Sequence, residues 1–485
     1  MNKLLYLLPV LLPVLGAAVL WLTPGIGEKH AGRTAVLFSL ATSLAAAAVL
    51  LFSSGERLTL LTVADGLPFV LRADGLGRVF LMLIAFLWPL ATLYATEYME
   101  EEENRVRFFA FYLLSYGVTA GVALSANLIT MYFFYELLTL VTVPLVAHST
   151  DRRSMAAARK YIVYSIGGAA LSLVGIVLLY TRTGCTDFVY GGVGAGGSRE
   201  LLAAYMLTFA GFGVKAAIFP FHDWLPSAGV APTPVTALLH AVAVVKSGVF
   251  ACIRSAFFAF GPALLSGTWA QKAVLAVSAF TIVYGSAMAF KEQHWKRRLA
   301  YSTMSNLSYI LFGMALLTRA GLIAGLSHML FHGVMKITLF FCAGTVLCKT
   351  GREYVPETEG LGRKMPLTFA VYTAASLALT GAPLLPGFVS KLNLLAAAAE
   401  VGGPFAMAGI VALLLSALLT AAYLLPVTIH GFFPGSDFDY STLEKKEPGL
   451  KMLVPLCLLA AGVVLTGIFA QPLMNAATQA AAALL

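Results

Sequence analysis

The sequence predicts an all-α polytopic membrane protein of about 14 transmembrane helices, and three observations carry that prediction. Hydrophobic residues make up 59% of the 485 and charged residues only 11%, against about 25% charged in soluble domains. Mean hydropathy is +0.84, so lipid is the natural solvent for this chain. The apolar runs extend over about 20 residues, the length at which a helix crosses a hydrocarbon core of about 30 Å. Barrel strands would instead alternate with period two over about 10 residues. In lipid the backbone satisfies itself through helices or closed barrels, and the pattern selects helices.

The spans fall at 4–22, 33–53, 76–98, 106–124, 126–147, 160–181, 201–220, 233–254, 272–290, 299–317, 320–348, 367–388, 405–431 and 450–472. Lys3 before the first apolar stretch resembles a signal peptide, but the stretch from Leu4 to Leu22 is longer than a usual h-region and reads as the first span. Proline interrupts the seventh and twelfth. The loops after odd-numbered spans hold 19 of the 32 basic residues and the opposite loops 9, with four inside spans. That bias places the richer side in the cytoplasm and both termini outside it.

Residues 57–72 alternate around Asp65-Gly66, which predicts a small external hairpin. Gly192, Gly194 and Gly197 match GxGxxG, but no strand precedes them, so 184–198 reads as a flexible loop. The net charge of +9 sits in topology-setting loops without interleaved aromatics, which argues against nucleic acid. The five cysteines form no CxxC or spaced ligand set, which supports neither zinc nor an iron–sulfur cluster. No cofactor site is visible.

Five charged residues fall at membrane depth: Glu136, Lys215, Lys246, Lys336 and Lys391. Each costs about 2.5–3.5 kcal/mol there on insertion scales, so their retention points to function. Lys215 precedes a predicted helix break containing Pro220, His222, Asp223 and Pro226. Proline cannot continue an ideal helix, and a break at membrane depth is tolerated where it faces protein or a wet cavity. Pro383 and Pro386 mark a second break before Lys391. His328, His332 and Lys336 are spaced i, i+4, i+8, on one helix face over about 12 Å. Imidazole accepts a proton on one nitrogen while giving one from the other, so this stripe is a candidate relay. His240 and Lys246 are six apart, off a common face, and are expected to join from different sides.

Burial disfavours a charged amine and a nearby carboxylate favours it again. A carboxylate moving toward or away from Lys215 would therefore switch its hold on a proton. The function these residues imply is movement of protons or small cations. A stand-alone secondary transporter of an organic solute also uses broken helices. A lipid-linked transferase would need a carboxylate-rich metal loop, and the acidic cluster Glu100 to Glu103 reads instead as a solvated loop.

At these residues the chain resembles the antiporter-like subunits shared by respiratory complex I and Mrp-type cation/proton antiporters. The segments that carry the resemblance are MYFFYELLTLVTVPLV, GFGVKAAIFPFHDWLPSAGVAPTPVTALLHAVAVVKSGVF, LSHMLFHGVMKITLFFCAG and TGAPLLPGFVSK. It implies fourteen helices, with two inverted five-helix repeats at 99–260 and 261–432, each containing a broken helix. Helices 1–3 and the hairpin occupy 1–98, and a loop and final helix occupy 433–485. Glu136 looks like the family's fifth-helix glutamate and Lys215 like its seventh-helix lysine. Lys246 matches the eighth-helix position, Lys336 the central lysine of the eleventh helix and Lys391 the residue on the broken twelfth. The likeness is strongest to the D-type subunits of Mrp antiporters and their hydrogenase-associated relatives. It implies a prokaryotic cell membrane, partner membrane subunits, and protons as cargo, with sodium as a further cation. The tenth span, YSTMSNLSYILFGM, has no carboxylate, so a Glu–Lys pair is expected in one half only.

Overall fold

Among the described residues of the computed structural model, eleven helices are long and apolar enough to cross a bilayer. The structure describes residues 2–23, 27–64, 67–194, 198–435, 438–443 and 446–482. The helices are α1 (Leu8–Leu22), α2 (Gly27–Phe52), α3 (Gly75–Tyr98), α4 (Arg105–Leu124), α5 (Leu128–Val146) and α6 (Arg152–Thr183). Then come α7 (Arg199–Lys215), α8 (Thr233–Phe260), α9 (Trp269–Lys291), α10 (Trp295–Ala315) and α11 (Arg319–Thr350). The last five are α12 (Pro366–Thr380), α13 (Pro386–Val401), α14 (Gly403–Phe432), α15 (Leu450–Ile468) and α16 (Gln471–Ala482).

Length and composition thus qualify eleven spans rather than fourteen, and three expected spans fall short for physical reasons. Helix α7 stops at Lys215, where the chain breaks. Helix α10 is 21 residues long but carries Ser302, Ser305, Asn306 and Ser308, all buried. A helix surrounded by protein does not need an apolar surface. Helix α12 has 15 residues and ends at the second break.

Several expected boundaries move. The sixth helix begins at Arg152, not 160, because the Asp151 side chain accepts from the Ser154 N–H at 2.6 Å and caps a basic extension. The eighth runs on to Phe260, so Arg254 lies inside a helix and not in a loop. The expected 367–388 span ends at Thr380, and Lys391 lies on the separate helix α13. Helix α16 follows the expected last span and packs on α11 and α3.

The external hairpin is present: β1 (Leu58–Ala64) pairs antiparallel with β2 (Leu67–Leu71). Its turn, Asp65-Gly66, and Gly197 of the discarded glycine match lie outside the described residues.

Both breaks show how the backbone is re-satisfied. After Lys215 the chain passes through Ala217 at φ 54 and a short helix, Trp224–Ser227, before α8 begins. The Trp224 indole N–H donates to the freed Val214 carbonyl at 2.8 Å. After Thr380, Gly381 (φ 103) and Leu384 (φ 67) reverse the chain, and Pro386 opens α13 at a position that needs no N–H.

Candidate functional site: a buried row of ionisable side chains

The row begins on α5. Glu136 Oε1 lies 3.7 Å from the Lys215 ammonium, which is buried at the C-terminal end of α7. At an effective dielectric of about 20 that separation attracts by roughly 4 kcal/mol. The ammonium also donates to the Tyr135 carbonyl and lies 3.4 Å from the centre of the Tyr135 ring. Glu136 is a quarter exposed, so it faces the edge of the packed interior.

Helix α8 packs against the end of α7. Gly248 makes that approach possible, since a Cβ there would lie 2.7 Å from the Lys215 carbonyl carbon. Two residues earlier on α8, Lys246 is fully buried, and its ammonium meets His332 Nδ1 of α11 at 2.7 Å. Two full charges at that distance would repel by about 6 kcal/mol at a dielectric of about 20. Lys246 and His332 therefore hold at most one positive charge between them.

The His328 and His332 rings lie 5.9 Å apart, tilted by 29°. His328 Nδ1 hydrogen-bonds Ser390 Oγ at 2.9 Å and its Nε2 meets Asn306 Oδ1 at 3.2 Å. Ser390 precedes Lys391 on α13. The Lys391 ammonium donates to the carbonyls of Leu379 (2.7 Å) and Thr380 (3.0 Å), the last residues of α12. A cation at a helix C-terminus answers both the orphan carbonyls and the helix dipole.

Lys336 departs from the expected stripe. It shares the α11 face with His332, but its ammonium donates to Ser302 Oγ of α10 at 2.7 Å. The Tyr423 hydroxyl of α14 donates to the same oxygen at 2.7 Å. A hydroxyl pair thus stands opposite this lysine. The three α11 residues are brought together on one face, but not as a continuous hydrogen-bonded chain.

His240 is buried, and neither ring nitrogen has a hydrogen-bond partner among the described residues. It packs on Phe340 at 4.9 Å and is close enough to Lys336 for their charges to interact. It lies within a π-helical turn, Leu238–Val242, which resets the helix face between it and Lys246. In the first break, Pro220, His222, Asp223 and Pro226 lie beyond Lys215, but Asp223 does not turn to that lysine. It pairs with Lys160 of α6 and is half exposed. His222 is buried against Phe219 and Tyr284.

Charge alone does not reveal the neutral members of the row: Ser302, Asn306, Tyr309, Ser390 and Tyr423. Ser302, Asn306 and Tyr309 recur at helical spacing in the polar tenth span, a signal that is present in the sequence. Two further ion pairs, one buried and one half-buried, also lie outside the sequence-based expectation. Arg254 makes a two-pronged contact with Asp74, 2.6 Å on each side. Glu97 meets Lys349 at 2.9 Å and accepts from the backbone N–H groups of Gly449 (2.6 Å) and Met452 (3.1 Å).

Residues 125–420 match the family profile described as NADH:quinone oxidoreductase/Mrp antiporter, TM. Residues 61–109 match the profile for the N-terminus of chain 5 of NADH-ubiquinone oxidoreductase (complex I). NADH-quinone oxidoreductase subunit N of Desulforudis audaxviator is 32% identical over 421 residues, covering 83% of this chain and 82% of its own. The A/B subunit of a probable K(+)/H(+) antiporter of Rhizobium meliloti is 34% identical over 415 residues, or 83% of this chain, which spans only 40% of that relative. A chain of the membrane-bound sulfane sulfur reductase, an archaeal respiratory membrane complex, superposes with TM-score 0.87 at 25% identity. That match covers 99% of this chain and 97% of the other.

Proposed function

We propose that this chain, which belongs to the NADH:quinone oxidoreductase/Mrp antiporter family, is a proton-translocating, antiporter-like subunit of a larger membrane complex. The observation that carries the reading is the Glu136–Lys215 pair, 3.7 Å apart at the first helix break. Among the described residues of the row, only here can a carboxylate set the charge of a buried amine.

The chemistry runs as follows. While Glu136 is ionised and close, Lys215 keeps its proton. Neutralising or withdrawing the carboxylate removes that attraction, and the amine gives its proton to the next group inward. Lys246 and His332 hold at most one charge between them, so a proton arriving at Lys246 requires His332 to be neutral. Passing that charge to His332 places it on α11. From there His328 and Ser390 lead toward Lys391, while Lys336 exchanges with the Ser302–Tyr423 hydroxyls.

The names of the relatives describe subunits, which favours a complex over a stand-alone solute transporter. Fourteen spans, with residues 99–260 and 261–432 as two inverted repeats, are the architecture we infer. The two breaks support it, since each leaves a lysine at the carbonyl end of a half-helix: Lys215 on α7 and Lys391 against α12. The basic-residue bias supports both termini on the outer face, and the bacterial and archaeal sources of the relatives support a prokaryotic cell membrane.

The test is proton flux in vesicles holding the complete complex. Glu136→Gln and Lys215→Ala should each lower flux by at least about tenfold, or 1.4 kcal/mol of barrier. Normal flux in both would sink the reading.

A further inference from the structure

We propose that the cavity between α2, α3, α4 and α15 binds an anionic phospholipid, with Lys29, Arg33 and Arg105 around its phosphate. The cavity has a volume of about 530 Å³ and lies where the N-terminal ends of α2, α4 and α15 meet the C-terminal end of α3. Lys29, Arg33, Arg105 and Lys451 line it with a single carboxylate, Glu100. That carboxylate is already taken, since Lys451 holds it at 2.5 Å. The side chains of Lys29, Arg33 and Arg105 form no hydrogen bond or ion pair among the described residues. The Arg105 Nε is buried and unpartnered. Three cations thus line one space whose single lining carboxylate is held by a fourth.

Topology explains why basic residues lie on this side of the bundle. It does not explain why they share a cavity with an apolar wall. That wall is Val36, Leu37 and Leu93. From it an exposed stripe runs down α2 through Leu37, Leu40, Leu44 and Leu51. These residues are spaced i, i+3, i+7 and i+14 and lie along one helix face. Leu37 and Leu44 are 68% and 72% exposed, so the stripe lies on the outer surface of the bundle. A cationic mouth leading into an apolar track fits a molecule with a phosphate at one end and acyl chains at the other. Basic pockets between transmembrane helices bind anionic headgroups in this way. The guanidinium of Arg33 or Arg105 can take two phosphate oxygens at once. The cavity is sized for the headgroup and glycerol, with the chains lying along the stripe. This inference does not depend on the proton-translocation reading.

The experiment uses the complete complex, purified in a neutral detergent. Phospholipids retained per complex are counted by mass spectrometry, and the unfolding midpoint is followed as phosphatidylglycerol or phosphatidylcholine is added. The unmodified complex should keep phosphatidylglycerol and be stabilised by it, and not by phosphatidylcholine. Lys29→Ala/Arg33→Ala/Arg105→Ala should retain one fewer anionic phospholipid per chain and lose that stabilisation. Should the triple variant not assemble, Arg33→Glu alone, at an exposed position, should give the same loss. Val36→Trp keeps every cation but fills the cavity, and should also lose the lipid. Unchanged retention in these variants would overturn the site. So would equal stabilisation by inorganic phosphate, which would make the ligand a free anion. A photo-crosslinker at position 33 that captured a neighbouring protein in place of lipid would overturn it as well.

Discussion

The four lysines of the row lie deep in the bundle, and none is held by a fully engaged carboxylate among the described residues. Lys215 and Lys391 lean on backbone carbonyls, Lys246 on an imidazole and Lys336 on a hydroxyl. Arg254 is the contrast. It is fully buried and answered on both prongs by Asp74, whose side chain also caps α3 through the Gly77 N–H. A cation with so complete a partner is fixed, and its role is structural. Arg254→Ala should leave Asp74 buried and alone, costing roughly 3–5 kcal/mol and lowering the unfolding midpoint of the purified complex. Removing both charges with Arg254→Met/Asp74→Asn should recover much of that loss. The sequence hides this role, because a span ended at Arg254 puts the residue in a loop, whereas SAFFAF continues the helix. His148 lies outside the spans, buried near the Arg107 guanidinium, and together these push its imidazole down to about 4. It is neutral in the folded protein at neutral pH. Its contribution to stability is complete above the ordinary imidazole value of 6.5 and is lost as pH falls through about 4. His148→Asn should flatten the acid limb of a plot of unfolding midpoint against pH.

At the scale of elements, two helices organise the row. Helix α8 contains π-helical stretches at Leu238–Val242 and Ser255–Phe260, on either side of Lys246. Such turns shift the helix face, which is why residue spacing alone does not place His240 relative to Lys246. Helix α11 is regular over 32 residues, and there the i, i+4, i+8 spacing does predict a shared face. The breaks are legible too, because proline punctuates both. What lies beyond them is not: Asp223 turns outward to Lys160, a choice made by tertiary packing. Helix α10 is the least legible element. The helical spacing of Ser302, Asn306 and Tyr309 is visible in sequence, but they become part of the site only when α11, α13 and α14 close on them. Ser302→Ala removes the acceptor of the Lys336 ammonium, a loss of about 1 kcal/mol of hydrogen bonding. Proton flux should fall about fivefold, with the complex still assembled.

Across the whole molecule, the ionisable groups of the row fall into a first half on α5, α7 and α8 and a second on α11 and α13, and the Lys246–His332 hydrogen bond joins them. The first half holds a carboxylate–lysine pair, Glu136–Lys215. The second uses neutral hydroxyl and imidazole partners, in keeping with a tenth span that carries no carboxylate. Composition is enough for the membrane-spanning helical bundle. Which groups touch across helices cannot be read from one chain, since contacts such as Lys246–His332 join residues 86 positions apart. That contact is also where the proposed mechanism is most exposed. Lys246→Met keeps the bulk of the side chain and removes its charge, leaving Glu136, Lys215 and Lys336 in place. Proton flux through vesicles containing the complete complex measures the consequence. If charge passes between the halves at this contact, flux falls by at least about tenfold. Flux equal to that of the unmodified complex would mean that charge does not pass between the halves at Lys246 and His332.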